Sequence, residues 1–434
     1  MKFRIETLGC KVNTYESNVM SDLLKNAGYI EANKEEQSDI VIINTCTVTN
    51  TADQKSGKVI RHAVKHNPEA IIMVCGCYPQ VSLDKVKKID GLAIIIGNRH
   101  KSEIVSLIEE YKRTKKPIIK IEDIRHSTFE TMRLNNFNRT RAFVKIEDGC
   151  DNFCSYCIIP YSRGNVCSKH PSEVLLEIET LIAEGHSEIV LTGIHTGHYG
   201  ADLDHYRFYD LLKAILEIEG LERLRISSIE LNEITDDILE LMKEHAILVD
   251  HMHIPLQAGS DKILKRMNRK YDLAYFKERI TKIRQIRPHI SITTDVIVGF
   301  PGDTEEDFQT TIQTVKELKF AKIHVFPYSE RRGTKSELMT DKLSEEVKKD
   351  RSRRLVAISK ELEMAYMNGF LGTETYFIPE VEKNGCLIGH TGNYLLVKAK
   401  GEKNLLHRNV PIRITDIQYP YVEAELCQKG VLES

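Results

Sequence analysis

The feature that most constrains the fold is an alternation of short apolar stretches with amphipathic stretches. Between residues 141 and 367 this strand-then-helix pattern recurs six times. The pattern predicts strands at 142–146, 188–192, 223–227, 249–255, 291–298 and 322–327, and helices such as 171–185, 236–244, 305–318 and 345–367. Strands separated by helices pair in parallel, and eight such units close a full barrel. Six units therefore predict an α/β domain that is a partial (βα)6 barrel with an open side, which suits a macromolecular substrate.

Two further domains are predicted on either side of this barrel at 141–368. Residues 1–112 alternate strands near 3–7, 39–43, 70–74 and 92–96 with helices, which predicts a doubly wound parallel sheet. Residues 113–140 are basic and polar, and we interpret them as a linker. From 369 to 434 the pattern changes to short alternating strands, near 373–381, 393–400, 409–417 and 422–426, which predicts a small antiparallel β-barrel.

Three cysteines follow the first predicted barrel strand with the spacing C-x3-C-x2-C: Cys150, Cys154 and Cys157, the loop trio. A structural zinc site needs four protein ligands, whereas an iron–sulfur cube held by three cysteines keeps one iron open. Cys167 could supply a fourth ligand for zinc. A disulfide is disfavoured because three is an odd number and no secretory context is evident. The spacing therefore favours an iron–sulfur cluster.

Three other cysteines each lie just beyond the carboxyl end of a predicted N-terminal strand: Cys10, Cys46 and Cys77, the strand-end trio. In an open α/β sheet these ends share one edge, where ligands bind. We therefore predict a second three-thiolate site, with unrelated buried cysteines as the alternative. Cys75 is a rival ligand, because it would point to the same side as Cys77 if the strand continued.

Composition is typical of a soluble globular protein, with 434 residues, 41% hydrophobic and 29% charged. The N-terminus has no apolar signal region and the apolar runs are too short to span a membrane, so we expect a cytoplasmic protein. A net charge of −2 gives no general attraction to nucleic acid. Local basic patches exist at 99–145, with twelve Lys/Arg against six Asp/Glu, and at 348–360, with six against one. Solvated charged faces would explain them equally well.

The cysteine motifs resemble those of a known family. The spacing C-x3-C-x-aromatic-C resembles the signature of radical S-adenosylmethionine (SAM) enzymes, and residues 145–164 resemble the methylthiotransferases within that superfamily. Gly9-Cys10, residues 44–48 and Gly76-Cys77 are similar to the family's N-terminal domain, which binds an auxiliary [4Fe-4S] cluster. The family pattern places a cysteine directly after that second glycine, which favours Cys77 over Cys75.

This resemblance implies two [4Fe-4S] clusters and SAM as cofactors. The open iron of the loop-trio cluster would bind SAM, with Tyr156 against its adenine, although an ordinary packed tyrosine is the alternative. Gly193, Gln257 and Arg269 resemble SAM-contacting positions. An electron, from a donor such as flavodoxin or ferredoxin, would cleave SAM to a radical that abstracts hydrogen, and the strand-end trio's cluster would donate sulfur.

Within the family, the substrates are a modified adenosine beside the tRNA anticodon or an aspartate of a small-subunit ribosomal protein. Residues 7–13 and 52–56 resemble the branch that modifies N6-threonylcarbamoyladenosine, although residues 57–61 are less arginine-rich than that branch. Isopentenyladenosine and the ribosomal aspartate are the alternatives, as is a zinc-stabilised RNA-binding protein without enzyme activity. The C-terminal domain resembles the OB-like TRAM domain, so we expect the tRNA anticodon stem-loop as partner, and neither DNA nor a membrane.

Three polar residues are predicted to line the barrel. Asp295 alternates with neighbours that face the interior, where it would contact substrate or SAM or join a structural hydrogen-bonded network. His251 and His253 share one face of their strand. We interpret them as hydrogen-bonded core histidines or lining histidines rather than metal ligands.

Overall fold

The computed structural model describes residues 1–33, 36–125, 128–134, 137 and 140–427. Parts of the predicted linker, at 126–127, 135–136 and 138–139, and the C-terminal residues 428–434 lie outside the described residues. The described chain forms an N-terminal sheet domain, a central barrel and a small C-terminal β-barrel, in the predicted order. Among the described residues, no helix is both long and apolar enough to cross a bilayer.

The N-terminal domain is a parallel sheet with helices on its faces and the strand order β2-β1-β3-β4-β5-β6. Its elements are β1 Lys2–Thr7, α1 Lys11–Asn26, β2 Ile30–Glu31, β3 Ile40–Thr45, α2 Asn50–His66, β4 Ile71–Gly76, α3 Cys77–Val86, β5 Ile94–Ile96, α4 Ile104–Thr114 and β6 Ile118–Lys120. The four predicted strands are present, and β2 and β6 were not predicted. In β6, Ile118 and Ile119 pair with Ile94 and Ile95, so the sheet extends beyond the predicted boundary at residue 112.

The central domain confirms the partial (βα)6 barrel, with six parallel strands in the order β7-β10-β11-β12-β13-β14. A bridge between Leu224 and Leu248 joins its two halves. The elements are β7 Arg141–Lys145, β8 Glu147–Asp148, α5 Ile159–Arg163, β9 Cys167–Ser168, α6 Pro171–Ala183, β10 Glu188–Thr192, α7 Phe208–Leu216, β11 Arg223–Ile226, α8 Asp236–Glu244, β12 His251–His253, α9 Asp261–Arg266, α10 Leu273–Ile286, β13 Ser291–Val298, α11 Glu305–Leu318, β14 Lys322–Pro327 and α12 Glu345–Asn368.

The barrel strands alternate between an apolar outer face and a polar inner face. Along β13, Ile292 and Val296 pack in the main hydrophobic core, whereas Ser291 and Thr293 line an interior cavity. Side chains on a strand point alternately to opposite faces, so this period-2 pattern directs polar groups inward. The barrel therefore encloses a polar interior rather than a packed apolar one.

The N-terminal domain contacts both ends of the open barrel sheet. At the end of β7, the Lys145 ammonium lies 2.9 Å from the Glu16 carboxylate of α1. Beyond β14, Arg331 donates to the Thr47 hydroxyl at 2.7 Å and to the Asn50 side-chain oxygen at 2.9 Å, both just after β3. The N-terminal domain therefore spans the open side of the barrel near the carboxyl ends of its strands.

The C-terminal domain is a closed five-stranded barrel in the order β15-β16-β17-β19-β18. Its strands are β15 Glu374–Lys383, β16 Cys386–Thr391, β17 Leu396–Lys400, β18 Val410–Gln418 and β19 Tyr421–Leu426. The predicted antiparallel barrel is confirmed except that β17 and β19 pair in parallel. The predicted strand at 393–400 begins only at Leu396, because Asn393 and Tyr394 belong to a tight turn in which Tyr394 has a φ of +68°.

Candidate cluster sites and the barrel interior

Two glycines bring the strand-end trio together at the carboxyl edge of the N-terminal sheet. Gly9 has a φ of +108°, and a Cβ there would lie 2.8 Å from the Cβ of Cys46. Gly76 has a φ of +100°, and a Cβ there would lie 2.6 Å from the carbonyl oxygen of Thr45. Only glycine tolerates this conformation and this close approach without strain. The close packing of the site therefore requires the glycine that precedes Cys10 and the glycine that precedes Cys77.

A buried arginine from the barrel domain lies behind this trio. Arg163 donates to the side-chain oxygen of Asn13 at 2.7 Å, and Asn13 in turn donates to the Thr45 carbonyl at 2.9 Å. The same guanidinium pairs with Glu16 at 3.0 Å and with Asp148 at 2.9 Å. Sequence reasoning missed Arg163, although it falls within the motif at 145–164.

The charge of Arg163 favours ionised cysteines nearby. Burial raises the pKa of Cys46 to about 11, whereas the Arg163 guanidinium acts to lower it. A cluster ligand must be a thiolate, and a neighbouring cation stabilises that form. The arginine therefore makes the strand-end trio better suited to hold a metal cluster.

Cys75 and Cys77 lie in different surroundings. The Cys75 thiol donates to the Ile43 carbonyl at 3.7 Å and packs in the hydrophobic core, where burial raises its pKa to about 12. The strand ends at Gly76, whose backbone conformation turns the chain so that Cys77 begins α3. The Cys77 sulfur instead accepts a hydrogen bond from Asn98 at 3.3 Å. The geometry therefore favours Cys77 over Cys75 as the third member of the trio.

The loop trio is held by short-range contacts after β8. The backbone N–H of Cys157 donates to the Cys154 carbonyl at 2.9 Å, and that of Cys150 donates to the Gly164 carbonyl at 3.0 Å. Burial raises the pKa of Cys157 to about 12, while the Arg269 guanidinium acts to lower it. The loop is also tied to the segment after α9, where the Ser155 N–H donates to the Met267 carbonyl at 3.0 Å and Asn268 donates to the Phe153 carbonyl at 3.0 Å. The contacts that hold the loop trio therefore come from its own domain.

Arg269, one of the predicted SAM contacts, lies beside this trio. Its guanidinium donates to the Cys154 sulfur at 3.3 Å and to the Tyr271 hydroxyl at 3.1 Å, and it pairs with Glu230. Its position near the loop trio agrees with the expected location, and Glu230 is a neighbour that sequence reasoning had not singled out.

The other predicted SAM contacts have structural partners. The half-buried Tyr156 belongs to an apolar cluster and meets Phe300 edge-on, with ring centroids 6.4 Å apart. A Cβ at Gly193 would lie 2.6 Å from a carboxylate oxygen of Glu147. Gln257 has a φ of +65° and bridges to Val296 on β13. Each position serves local packing, and its role towards SAM stays a prediction.

Cys167 lies outside the loop trio. It is buried on β9, paired in register with Asp148 on β8, and its sulfur accepts a hydrogen bond from Arg99 at 3.5 Å. The zinc interpretation needs Cys167 as a fourth ligand beside the loop trio. The contact between its sulfur and Arg99 gives that interpretation no support.

The two trios border the same end of the barrel. The side-chain amide of Asn98 donates to the Cys77 sulfur at 3.3 Å and also to the Ser162 carbonyl at 2.6 Å. Ser162 lies on α5, the helix that follows Cys157. One amide therefore joins the strand-end trio to the element next to the loop trio.

Below this end, the barrel interior holds a cavity of about 380 Å³. His253 lines the cavity and lies 3.3 Å from Asp295, whose neighbour Thr293 also lines it, in agreement with the predicted inward face. The His251 ring stacks on Tyr394 from the β16–β17 turn of the C-terminal barrel, with centroids 4.8 Å apart. The two histidines therefore line the interior, as the sequence predicted.

Three of the six basic residues in the patch at 348–360 take part in packing. On α12, the buried Arg351 pairs with Asp303 at 2.8 Å, and Arg354 pairs with Glu305 at 2.8 Å. The stem of Lys348 packs against Gly299. Much of the charge counted in the sequence is therefore neutralised within the fold and is unavailable to RNA phosphates.

Comparison with known proteins agrees with this architecture. Residues 2–97 match the model of Uncharacterized protein family UPF0004, and residues 144–315 match the Radical SAM superfamily. Over 427 residues the chain is 42% identical to the threonylcarbamoyladenosine tRNA methylthiotransferase MtaB of Bacillus subtilis, covering 96% of this chain and 95% of that protein. The chain belongs to the radical SAM methylthiotransferase family. It is also 36% identical over 423 residues to a tRNA-2-methylthio-N(6)-dimethylallyladenosine synthase of Clostridium botulinum, covering 95% and 94%.

Solved structures share the fold. The radical S-adenosylmethionine methyltransferase TsrM from Kitasatospora setae matches with a TM-score of 0.56 at 13% identity, over 75% of this chain and 72% of that one. The cobalamin-dependent S-adenosylmethionine radical enzyme OxsB matches with a TM-score of 0.51 at 11% identity, over 83% and 56%. At such low identity these likenesses concern the fold alone.

Proposed function

We propose that this member of the family is a tRNA methylthiotransferase that adds a methylthio group to carbon 2 of N6-threonylcarbamoyladenosine beside the anticodon. The observation that carries the proposal is the pair of cysteine trios at one end of the barrel, joined through Asn98. The substrate follows the 42% identical relative, whose name specifies threonylcarbamoyladenosine and whose sequence matches nearly the whole chain.

The cysteines fit two [4Fe-4S] clusters. Three thiolates per cube leave one iron open to another ligand, and an arginine lies near each trio. The loop trio would hold the cluster that binds SAM, and the strand-end trio would hold the auxiliary cluster. When bound, these groups would supply the electron that cleaves SAM and the sulfur that replaces hydrogen on carbon 2.

The remaining parts of the chain bind and position the substrates. Arg269 orients ligands at the loop trio, with Tyr156, Gly193 and Gln257 as further SAM contacts. The C-terminal barrel acts as a TRAM-type RNA-binding domain for the anticodon stem-loop, in which an unpaired base can be splayed out. A flavodoxin or ferredoxin supplies the electron.

Metal analysis tests the cluster assignment. Anaerobically purified protein should hold about eight irons, falling to about four when either trio is changed to alanine. Cys75→Ala is the matched control, since it removes a buried cysteine of the same sheet and should keep all the iron. Loss of iron in that control with retention in Cys77→Ala would reassign the ligand, and zinc in place of iron would refute the proposal.

Nucleoside analysis tests the substrate. Mass spectrometry of tRNA from cells lacking the protein should show threonylcarbamoyladenosine without its methylthio group, restored by the wild-type gene. The 36% identical relative motivates one second candidate, the dimethylallyl-type adenosine, and loss of the methylthio mark from that nucleoside would favour it instead. An unmodified ribosomal aspartate in the same cells would indicate a protein substrate.

A further inference from the structure

Two buried polar groups that line the barrel cavity have no hydrogen-bond partner in the described part of the chain. They are the hydroxyl oxygen of Ser227, which is 6% exposed, and Nδ1 of His251, which is 8% exposed. Buried polar atoms in native proteins are nearly always bonded, and leaving one unpaired is costly. The cavity is therefore built for a ligand that carries polar atoms.

An unpaired ammonium reaches the same cavity from the N-terminal domain. Lys11 lines the cavity, and no acidic side chain of the described residues lies within ion-pair distance of it. Lys11 directly follows Cys10 in the chain, so this wall of the cavity lies next to the strand-end trio.

A second cation lies behind the cavity wall. Arg225 is almost completely buried and its Nε pairs with Glu188 at 2.7 Å, while within the described residues both of its terminal nitrogens lack a hydrogen-bond partner. The Tyr394 ring covers it, with the guanidinium carbon 4.7 Å from the ring centroid. The rim residue Lys322 is likewise neutralised, by Glu363 at 2.9 Å. Among the described residues, Lys11 is therefore the cavity-lining lysine without an acidic partner, and it gives the interior an excess positive charge.

We propose that this cavity binds the carboxylate on the substituent of the target adenosine, with Lys11, His251 and Ser227 as its partners. The assignment rests on the proposed function and names the part of the substrate that the barrel interior recognises. A carboxylate offers acceptors to the ammonium, the imidazole N–H and the hydroxyl, and neutralises the excess charge. A dimethylallyl group carries no polar atom and would leave all three groups unpaired, so the cavity selects the acidic substituent over the apolar one.

The test compares two anticodon stem-loop RNAs with the full-length, cluster-loaded enzyme. One RNA carries threonylcarbamoyladenosine, and the other carries the same group with its carboxylate converted to the neutral amide. Wild-type enzyme should prefer the acid in kcat/KM by about tenfold or more, because a site with buried polar groups rejects a ligand that leaves them unsatisfied. Lys11→Met should lower kcat/KM for the acid by about tenfold or more, mainly through KM, and lower kcat/KM for the amide by a much smaller factor, so that the preference for the acid is lost.

Further variants separate a loss of carboxylate recognition from a general loss of activity. His251→Phe keeps an aromatic ring against Tyr394 but removes the N–H donor, and like Lys11→Met it should reduce the preference for the acid. Lys11→Arg should restore that preference. The double variant Lys322→Met/Glu363→Gln removes a paired charge from the rim and is the matched control, with the acid preference unchanged. Turnover of the amide RNA confirms that both clusters work in each variant.

The outcomes distinguish the two proposals. If wild-type enzyme methylthiolates both RNAs with equal efficiency, or if Lys11→Met slows both by the same factor, the carboxylate assignment is wrong and the proposed function stands. If wild-type enzyme cleaves SAM but methylthiolates neither RNA, the proposed function itself fails and the assignment fails with it.

Discussion

The two cysteine trios reach the same ligand number by different structural routes. The loop trio lies within the eight residues from Cys150 to Cys157, and the contacts that hold it, with Gly164, Met267 and Arg269, come from its own domain. The strand-end trio comes from the ends of separate strands and depends on two glycines with positive φ and on Arg163 from another domain. A change that weakens the contact between the N-terminal domain and the barrel should therefore disrupt the strand-end trio first and leave the loop trio intact.

The largest expected effect comes from Arg163→Met. Removing one partner of a buried ion-pair network leaves Glu16 and Asp148 poorly compensated, which costs about 3–5 kcal/mol of unfolding free energy. We also expect loss of the iron at the strand-end trio, with SAM cleavage at the loop trio retained. Denaturant unfolding and iron analysis measure both effects. Arg353→Met, at an arginine whose side chain is 82% exposed, is the control and should change stability little.

A smaller effect is expected from Gly76→Ala. The new Cβ would meet the Thr45 carbonyl oxygen at 2.6 Å in a conformation that costs about 1–3 kcal/mol for other residues. Gly28→Ala is the matched control, because Gly28 also has a positive φ, +84°, but no described atom lies within 4 Å of its added Cβ. Iron loss in Gly76→Ala but not in Gly28→Ala would show that the close approach matters. Equal iron loss in both would show that backbone strain alone decides it.

The smallest effect on iron content is expected from Arg269→Gln. This change removes the hydrogen bond to the Cys154 sulfur and the ion pair with Glu230, but the backbone hydrogen bonds of the loop remain. The protein should therefore keep its iron while the electron paramagnetic resonance spectrum of the reduced loop-trio cluster shifts and SAM cleavage slows. Loss of iron as extensive as in Arg163→Met would contradict the distinction between the trios.

Local patterns were enough to predict the strands and the trios. The sheet alternation placed Cys10, Cys46 and Cys77 at one edge, because the carboxyl ends of parallel strands always share an edge. The same reasoning failed at β6, where the basic residues before Pro117 suggested a linker. The two isoleucines that follow pair with β5, and that pairing depends on a partner strand which local composition does not reveal.

The ion-pair partners of charged residues were the feature hardest to predict from the sequence. The patch at 348–360 looked free in sequence, yet Arg351 and Arg354 pair with acidic residues near the start of α11, on the neighbouring helix of the barrel. Arg163 and Arg225 also bond side chains more than thirty residues away in sequence, those of Asn13 and Glu188. Such pairs form across packed elements, and no periodicity within one segment encodes them.

The Tyr394 turn has a consequence for engineering the C-terminal domain. Because this ring contacts both Arg225 and His251 inside the barrel, the C-terminal domain also forms part of the cavity's wall. A chimera that imports this domain from a relative would import that relative's cavity wall with it, so the proposed RNA binding and the proposed carboxylate selectivity would be inherited together.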